Sequence, residues 1–275
     1  MERQLWTGAD IGYRGGVSHL FVGPHPDDVA LSCGGLVASL AEAGETVELV
    51  TVFCEPGAEP ELTAYQKEAL GFGDRGSLTP QAAMAERRAE DEAFARSAGA
   101  LLRSLGLPDG VFRGYALEGQ LMNAPRPDDP PPTEAIRAVI RTVDPEFAYF
   151  PLAIGGHVDH RLVRRAGLAL AVELGDRLAF YEDFPYMARG DFESLDQLEP
   201  SAIAALPEGS RLEPWYFELG AFDGRKMARL QAYPSQLAHM FAAGELETLL
   251  TGTAERIGRL GGVGPAERYW RVVGP

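Results

Sequence analysis

Residues 17–28 read VSHLFVGPHPDD, and the fold prediction starts from this stretch. Positions 17–22 are mostly apolar and rich in residues that favour β-structure, and a Gly-Pro pair follows them, as expected of a buried strand. Apolar residues at helical spacing then predict a helix over 34–43, and VELVTVF at 47–53 predicts a second strand. A strand, a helix and a strand in this order form the right-handed crossover unit of a parallel sheet.

The rest of the chain continues the alternation of strands and helices. Further strands are predicted at 147–151, 178–181 and 213–219, and helices at 81–98, 133–142, 159–174, 223–232 and 235–243. This order predicts an α/β protein with an open, mostly parallel Rossmann-like sheet and helices on both faces. We expect a single domain over 1–275, with its core at about 17–182 and a C-terminal embellishment at about 183–275.

Composition and charge exclude several classes of protein. The 275 residues include 25 Lys and Arg against 40 Asp and Glu, a formal charge of −15, which argues against a nucleic-acid partner. The first residues lack the pattern of a secretory signal, and the sequence has no apolar run long enough to span a membrane. We therefore expect a cytoplasmic protein. Cys33 and Cys54 are too far apart for a Cys-x-x-Cys pair and are predicted to be reduced and buried.

The motif His25-Pro26-Asp27-Asp28 follows the first predicted strand. Open α/β sheets bind their ligands at the carboxyl ends of their strands, so this is a favoured position for chemistry. Imidazole nitrogens and carboxylate oxygens are ordinary zinc ligands. Taken alone, the motif fits equally well a solvated turn after a proline, with the histidine packed or capping.

A second motif, His157-Val158-Asp159-His160, also follows a predicted strand and opens a predicted helix. Its two imidazoles are three residues apart and can face one cavity. The alternative is structural, with Asp159 as a helix N-cap and His160 in the first turn. Three of the five histidines, however, lie in these two loops, and that concentration favours a site.

Together the motifs supply the parts of a catalytic metal centre. Catalytic zinc commonly takes three protein ligands and leaves the fourth position to a water molecule. The predicted ligands are His25, Asp28 and His160. Asp27 is the predicted general base, and His157 either stabilises the oxyanion or protonates the leaving amine. Asp159 is predicted to orient His157 and to favour its charged form. Zn²⁺ is the expected metal, and Fe²⁺ suits the same ligands.

The two motifs resemble those of the LmbE-like or PIG-L family of metal-dependent deacetylases, which act on N-acetylglucosaminyl substrates. GPHPDDVALSCGG at 23–35 is similar to the family's AHPDD-plus-GG signature, and HVDH at 157–160 is similar to its HPDH motif with a valine in place of the proline. The resemblance implies the same ligand, base and electrophile roles. Some members carry a tyrosine where this chain has Gly155, which leaves more of the oxyanion stabilisation to His157.

Weaker resemblances extend over much of the chain. RRAEDEAFARSAGA at 87–100 and LGLPDG at 105–110 resemble family segments, which implies that Arg88 and Asp109 hold sugar hydroxyls. Lys226 and the stretch at 233–236 resemble a family segment to which we assign a structural role. Two stretches stay open between a sugar-stacking role and a structural one: YEDFPY at 181–186, and the aromatic groups at 215–217 and 269–270.

The function expected from these observations is hydrolytic. The chain is predicted to be a zinc-dependent enzyme that removes an N-acetyl group from an N-acetylglucosamine-type amino sugar conjugate, with metal-bound water as nucleophile. One alternative is an amidase for a larger thiol-conjugate or antibiotic-type amide, whose pocket the long loop at 54–80 would shape. Another is a metal- or sugar-binding protein without catalysis. The expected partner is a small molecule, and assembly into a homo-oligomer is left open.

Overall fold

The computed structural model describes residues 18–57, 62–71, 79–190, 206–220 and 222–274. Within them, seven strands form one sheet in the order β3-β2-β1-β4-β5-β7-β6. The strands are β1 (Ser18–Gly23), β2 (Thr46–Glu55), β3 (Leu101–Pro108), β4 (Phe147–Pro151), β5 (Leu178–Tyr181), β6 (Arg211–Glu218) and β7 (Ala266–Val273). The first five are parallel, whereas β7 pairs antiparallel with both β5 and β6. The predicted open, mostly parallel sheet is confirmed.

Helices connect the strands and flank the sheet. They are α1 (Asp28–Glu42), α2 (Ala64–Ala69), α3 (Pro80–Ala98), α4 (Thr133–Val143), α5 (Val158–Ala169), α6 (Ala171–Leu174), α7 (Phe222–Leu230), α8 (Pro234–Met240) and α9 (Glu245–Gly261). None of the helices in the described ranges is both long and apolar enough to cross a membrane. The predicted strands and helices are all present. The structure also contains helix α9 and strand β7, which were not predicted, and β3 is a strand of eight residues.

Helix α1 begins at Asp28, six residues earlier than predicted. The glycine pair inside it argues against a helix by propensity alone. The structure shows what the glycines permit: a β-carbon at Gly35 would lie 2.1 Å from Leu219 and 2.9 Å from Glu267 Oε1. Close packing against the C-terminal segment therefore requires glycine here and outweighs its low helix propensity.

The core has two layers, one on each face of the sheet. Side chains of β1 alternate between them: Phe21 packs with residues of α1 and α3, whereas Leu20 and Val22 pack with residues of α4 and α5. This alternation is the two-residue period of a strand buried on both sides. The prediction of helices on both faces is confirmed.

The order of the strands creates a crevice between β1 and β4. The two strands are hydrogen-bonded neighbours, with His19 opposite Phe147 and Phe21 opposite Tyr149. The chain leaves β1 into α1 on one face and leaves β4 toward α5 on the other. Ligands bind at such a switch point in open α/β sheets, and both histidine motifs follow these two strands.

The C-terminal segment completes the sheet. Glu267 of β7 accepts hydrogen bonds from the backbone N–H groups of Gly35 (2.9 Å) and Leu36 (3.0 Å) of α1, and it pairs with Lys226 Nζ at 2.9 Å. The buried Lys226 thus links α7 to β7. The aromatic residues Trp215 and Tyr269 are buried in the core. Of the two roles left open by the sequence, their burial favours the structural one over sugar stacking. That the whole of 1–275 forms one domain stays a prediction.

Candidate active site

The turn after β1 carries the first motif. Asp27 has a backbone φ of 99°, a positive value that residues other than glycine rarely adopt. Helix α1 begins at the next residue. The Oδ2 atom of Asp28 accepts a hydrogen bond from the backbone N–H of His25 at 2.8 Å and lies 3.2 Å from Nδ1 of the same residue. The turn therefore holds the imidazole and one carboxylate against each other.

The loop after β4 brings the second motif to the same point. His157 is the N-cap of α5, and His160 lies in the first turn of that helix. Nε2 of His160 is 3.4 Å from Oδ2 of Asp28. One carboxylate oxygen thus lies close to a nitrogen of His25 and a nitrogen of His160, and the three residues predicted to bind a metal come together.

A carboxylate stands behind each of the two imidazoles. Nε2 of His25 is 2.8 Å from Oδ2 of Asp159, and Nδ1 of His160 is 2.6 Å from Oδ1 of Asp183. An imidazole that donates from one nitrogen presents a lone pair on the other, so these contacts prepare both rings to bind a metal. Asp183 was missed as an orienting residue by sequence reasoning. The sequence feature that could have indicated Asp183 is its position as an acidic residue just after β5, the strand that pairs with β4.

The predicted partnership between Asp159 and His157 is wrong. The carboxylate of Asp159 accepts instead from His25, from the backbone N–H of Gly110 at 2.9 Å and from Arg113. The physical reason is the start of α5: the His157 ring caps the helix by accepting the backbone N–H of Asp159 at 3.3 Å, and the carboxylate points to the β3 side of the site.

His157 is a neutral hydrogen-bond donor in this arrangement. Because Nδ1 accepts the Asp159 backbone N–H, the proton of the neutral ring resides on Nε2. Burial lowers the pKa of His157 to about 3, although the charge of Asp159 opposes the shift. The predicted charged form is therefore not favoured. A neutral imidazole can still stabilise an oxyanion by donating a hydrogen bond.

Two groups of side chains in the described residues have ligand atoms that all lie within 4.8 Å of one another. One combines His25 and His160 with His157, and the other combines His25 with Asp109 and Asp159. In the first, the ring of His157 already uses Nδ1 as a cap. In the second, both oxygens of Asp159 accept hydrogen bonds from protein groups. The set of His25, Asp28 and His160 is not one of these two groups, but Oδ2 of Asp28 lies 3.2 Å from a nitrogen of His25 and 3.4 Å from a nitrogen of His160.

Asp27 is buried beside these ligands, with 5% of its surface exposed. Burial raises the pKa of its carboxyl to about 8; the charge of Arg87 opposes this shift and that of Asp28 adds to it. The guanidinium of Arg87 lies 4.0 Å from Oδ1 of Asp27. Asp27 is thus a buried carboxyl group directly beside the predicted ligands, the kind of group that serves as a general base.

Arg87 lies at the site, and Arg88, the arginine predicted from the sequence, does not. Arg88 donates to the Cys54 carbonyl at 2.8 Å and pairs with Glu55 at 3.0 Å, outside the cavity lining. Arg87 lines the cavity with its NH1 atom 3.6 Å from Oδ2 of Asp109, and its buried Nε has no hydrogen-bond partner among the described residues. The reason is helical phase, because the buried face of α3 passes through Arg87 and leaves Arg88 to one side.

These groups surround a cavity of about 380 Å³. Asp109, which the sequence predicts to hold sugar hydroxyls, lines this cavity, and its Oδ1 accepts the Val111 backbone N–H at 3.1 Å. The remaining wall comes from α2, from the short 3-10 turn at 120–122, from the segment after β5 and from α8, and it includes Tyr65, Glu68, Leu121, Met122, Phe184, Tyr186, His239 and Met240. Part of the open stretch at 181–186 therefore lines the pocket. The contributions of α2 and α8 could not be predicted without the packing.

A protein-family model described as GlcNAc-PI de-N-acetylase, PIG-L, matches residues 20–171, which include both histidine motifs. The chain belongs to the PIG-L family. It is 33% identical over 195 residues to a 2′-N-acetylparomamine deacetylase of Streptomyces fradiae. That alignment covers 70% of this chain and 65% of the relative, so the chain spans just under two thirds of the relative's length.

Solved structures of deacetylases share the whole fold. The A40926 pseudoaglycone deacetylase is 29% identical, with a TM-score of 0.70 over 93% of this chain and 96% of that one. The zinc-inhibited form of a teicoplanin deacetylase is 25% identical, with a TM-score of 0.74 over 94% of this chain and 98% of that one. The family resemblance seen in the sequence is confirmed.

Proposed function

We propose that this PIG-L family chain is a metal-dependent N-deacetylase that hydrolyses the acetamide of an amino sugar conjugate to acetate and a free amine. The observation that carries the proposal is the convergence of His25, Asp28 and His160, with Asp27 and His157 on the same cavity wall. The relatives support the amino sugar substrate, since one of them is a 2′-N-acetylparomamine deacetylase.

The residues present fit a divalent metal. Two imidazoles and one carboxylate are a common catalytic zinc set, and the far nitrogens of both imidazoles are already bonded to carboxylates. A metal held there would polarise the acyl carbonyl and lower the pKa of a water molecule. Zn²⁺ is proposed as the ion, with Fe²⁺ as the alternative. One structurally similar deacetylase was solved in a zinc-inhibited form. The test therefore varies the amount of zinc.

Asp27 is the proposed general base. A cation held by the adjacent residues would lower its pKa from about 8 and keep the carboxylate ionised at neutral pH. Asp27 then accepts a proton from the attacking water and delivers it to the departing nitrogen. Arg87, 4.0 Å away, holds the carboxylate in place.

His157 and Arg87 serve the substrate rather than the metal. The Nε2–H of neutral His157 donates a hydrogen bond to the carbonyl oxygen as charge develops on it. The guanidinium of Arg87 and the carboxylate of Asp109 both line the cavity and offer a donor and an acceptor for sugar hydroxyls. This pair takes the part that the sequence resemblance gave to Arg88 and Asp109.

A larger, antibiotic-type amide is the second candidate substrate. The apolar side chains Leu121, Met122 and Met240 line the cavity and suit an apolar portion of a conjugate. A deacetylase of the A40926 pseudoaglycone aligns with 93% of the chain, which supports this class. Both substrates use the same residues at the reacting amide, and they differ only in what the outer wall contacts.

The test is acetate release from a panel that includes 2′-N-acetylparomamine, N-acetylglucosamine conjugates and an acylated glycopeptide. Each is incubated with chelator-treated protein and with protein given one equivalent or an excess of zinc. Asp27→Asn should retain the metal and lose at least about 100-fold in rate. Asp128→Asn, at an exposed side chain paired with Arg126, is the matched control.

Three outcomes would contradict parts of the proposal. Full activity in Asp27→Asn rules out that residue as the base. Release that is insensitive to chelation rules out the metal. Stoichiometric metal without release from any member of the panel favours a binding protein without catalysis.

A further inference from the structure

Tyr186 lies against the candidate metal ligands but has no part in the chemistry described above. It follows β5 and lines the cavity next to His157 and His160. Its ring meets that of His160 edge-on, with centroids 5.6 Å apart and an angle of 87° between the planes. His157 contacts the same ring of His160 at 5.4 Å. Tyr186 and His157 therefore both flank one proposed ligand.

The hydroxyl of Tyr186 is available to a ligand. Among the described residues, none forms a hydrogen bond with it. The side chain is half-buried, and its hydroxyl is not among the buried polar atoms that lack a partner, so a ligand in the cavity can reach it. A phenol is protonated at neutral pH and can donate to an oxygen atom.

Gly155 makes the position of this ring possible. The residue has a φ of +83°, and a β-carbon built on it would lie 2.4 Å from Cγ and Cδ1 of Tyr186. That distance is far below van der Waals contact, and the atoms involved are the first atoms of the ring, not the tip of a flexible side chain. Any side chain at position 155 would therefore displace the ring, and the glycine keeps this place for the tyrosine.

The proposed reaction leaves a role for a second donor. When water adds to an amide carbonyl, the new C–O bond forms and the π electrons of the C=O bond move to its oxygen. Donors placed for that oxygen lower the barrier, and removal of one such donor reduces kcat by about 100- to 1000-fold in a serine protease. His157 is one donor, and Tyr186, whose ring contacts the same His160 and lines the same cavity, is the candidate for the second.

We propose that Tyr186 is a catalytic residue that donates its O–H as a hydrogen bond to the acyl oxygen during this addition. This inference rests on the proposed deacetylase function. Tyr186 keeps its proton throughout, and the C–N bond breaks when the nitrogen receives the proton carried by Asp27. The oxyanion stabilisation expected of His157 is thus shared with a residue from the segment after β5.

The first test is Tyr186→Phe, which keeps the ring on His160 and removes only the hydroxyl. We expect kcat to fall by about 30-fold or more, with KM within about threefold and with unchanged metal content. Tyr216→Phe is the matched control, because Tyr216 is half-buried on β6 and lies outside the cavity lining. Its kcat should equal that of the wild type.

A binding measurement separates catalysis from structure. A methylphosphonamidate analogue of the best substrate imitates the tetrahedral oxyanion, whereas the free amine is the product. By calorimetry, Tyr186→Phe should bind the analogue at least about tenfold more weakly and the amine equally well. Equal binding of both ligands, or loss of metal in the variant, overturns the catalytic assignment.

The role of Gly155 provides a second, independent check. Gly155→Ala should displace the ring and lower kcat, but should add little in the Tyr186→Phe background because the same hydroxyl is already gone. A full additional loss in the double variant overturns the link between the two residues. If the wild-type protein releases no acetate, the proposed function fails instead, and that result is distinct from an active wild type with an equally active Tyr186→Phe.

Discussion

Nε2 of His25 lies 2.8 Å from Oδ2 of Asp159, although the two residues are 134 positions apart in the chain. Asp159 is fully buried, and its carboxylate also accepts from Arg113 and from the backbone N–H of Gly110. The contact joins the two histidine motifs directly. It also fixes the tautomer of His25, so that Nδ1 carries the lone pair that a metal held with Asp28 and His160 would accept.

The first prediction concerns this contact. Asp159→Asn removes the charge that supports the His25 N–H and should weaken metal binding by about 10- to 100-fold. A competition titration against a chromophoric chelator measures the dissociation constant. Asp129→Asn is the control, since Asp129 also pairs with Arg113 at 3.0 Å but has no contact with His25. An equal loss in both variants would show that the position of Arg113, and not the contact with His25, controls the affinity.

The grouping of His25, Asp28 and His160 could be predicted because it depends on chain-local features. Each motif directly follows a strand, and parallel strands that are neighbours deliver their carboxyl ends to one place. The choice of Arg87 over Arg88 could not be predicted in this way. Both arginines are of the right type, and only the packing of α3 decides which of them faces the cavity.

The C-terminal elements show a second limit of the sequence. Helix α9 contains Gly252 and Gly258, which lower its predicted helix propensity. A β-carbon at Gly258 would lie 2.1 Å from the carbonyl oxygen of Gly264, so the glycine permits a close approach of the chain that follows the helix. Such a requirement appears only in the tertiary structure. For the same reason, the orienting role of Asp183 depends on β5 lying beside β4.

The second prediction compares two adjacent arginines on α3. Arg87→Met should lower kcat/KM by about 10- to 100-fold, because a hydrogen bond to a charged group contributes about 1.5–3 kcal/mol. Arg88→Met should change it by less than about threefold, since that residue loses a partly exposed ion pair with Glu55. Steady-state kinetics on the best substrate of the panel measures both. A larger loss in Arg88→Met would restore the assignment made from the sequence.

The last prediction concerns a histidine far from the site. His19 of β1 is 1% exposed, its ring stacks on Phe147 with centroids 5.7 Å apart, and its Nδ1 lies 3.2 Å from the hydroxyl of Tyr149. Nε2 has no hydrogen-bond partner among the described residues. Burial lowers the pKa of His19 from 6.5 to about 4, so the folded protein holds this ring neutral.

Because the unfolded chain binds this proton more readily than the folded one, the contribution of His19 is fully present above pH 6.5 and is lost as the pH falls toward 4. The loss should reach about 3 kcal/mol of unfolding free energy near pH 4. Urea unfolding of the wild type and of His19→Gln between pH 4.5 and 7.5 measures it: the variant starts less stable but should lose less stability on acidification. His239→Gln is the control, because His239 on α8 is exposed and its substitution should leave the acid sensitivity of the wild type nearly unchanged. If His19→Gln and the wild type lose stability in parallel across this range, another group is responsible for the acid sensitivity and the burial of His19 does not control it.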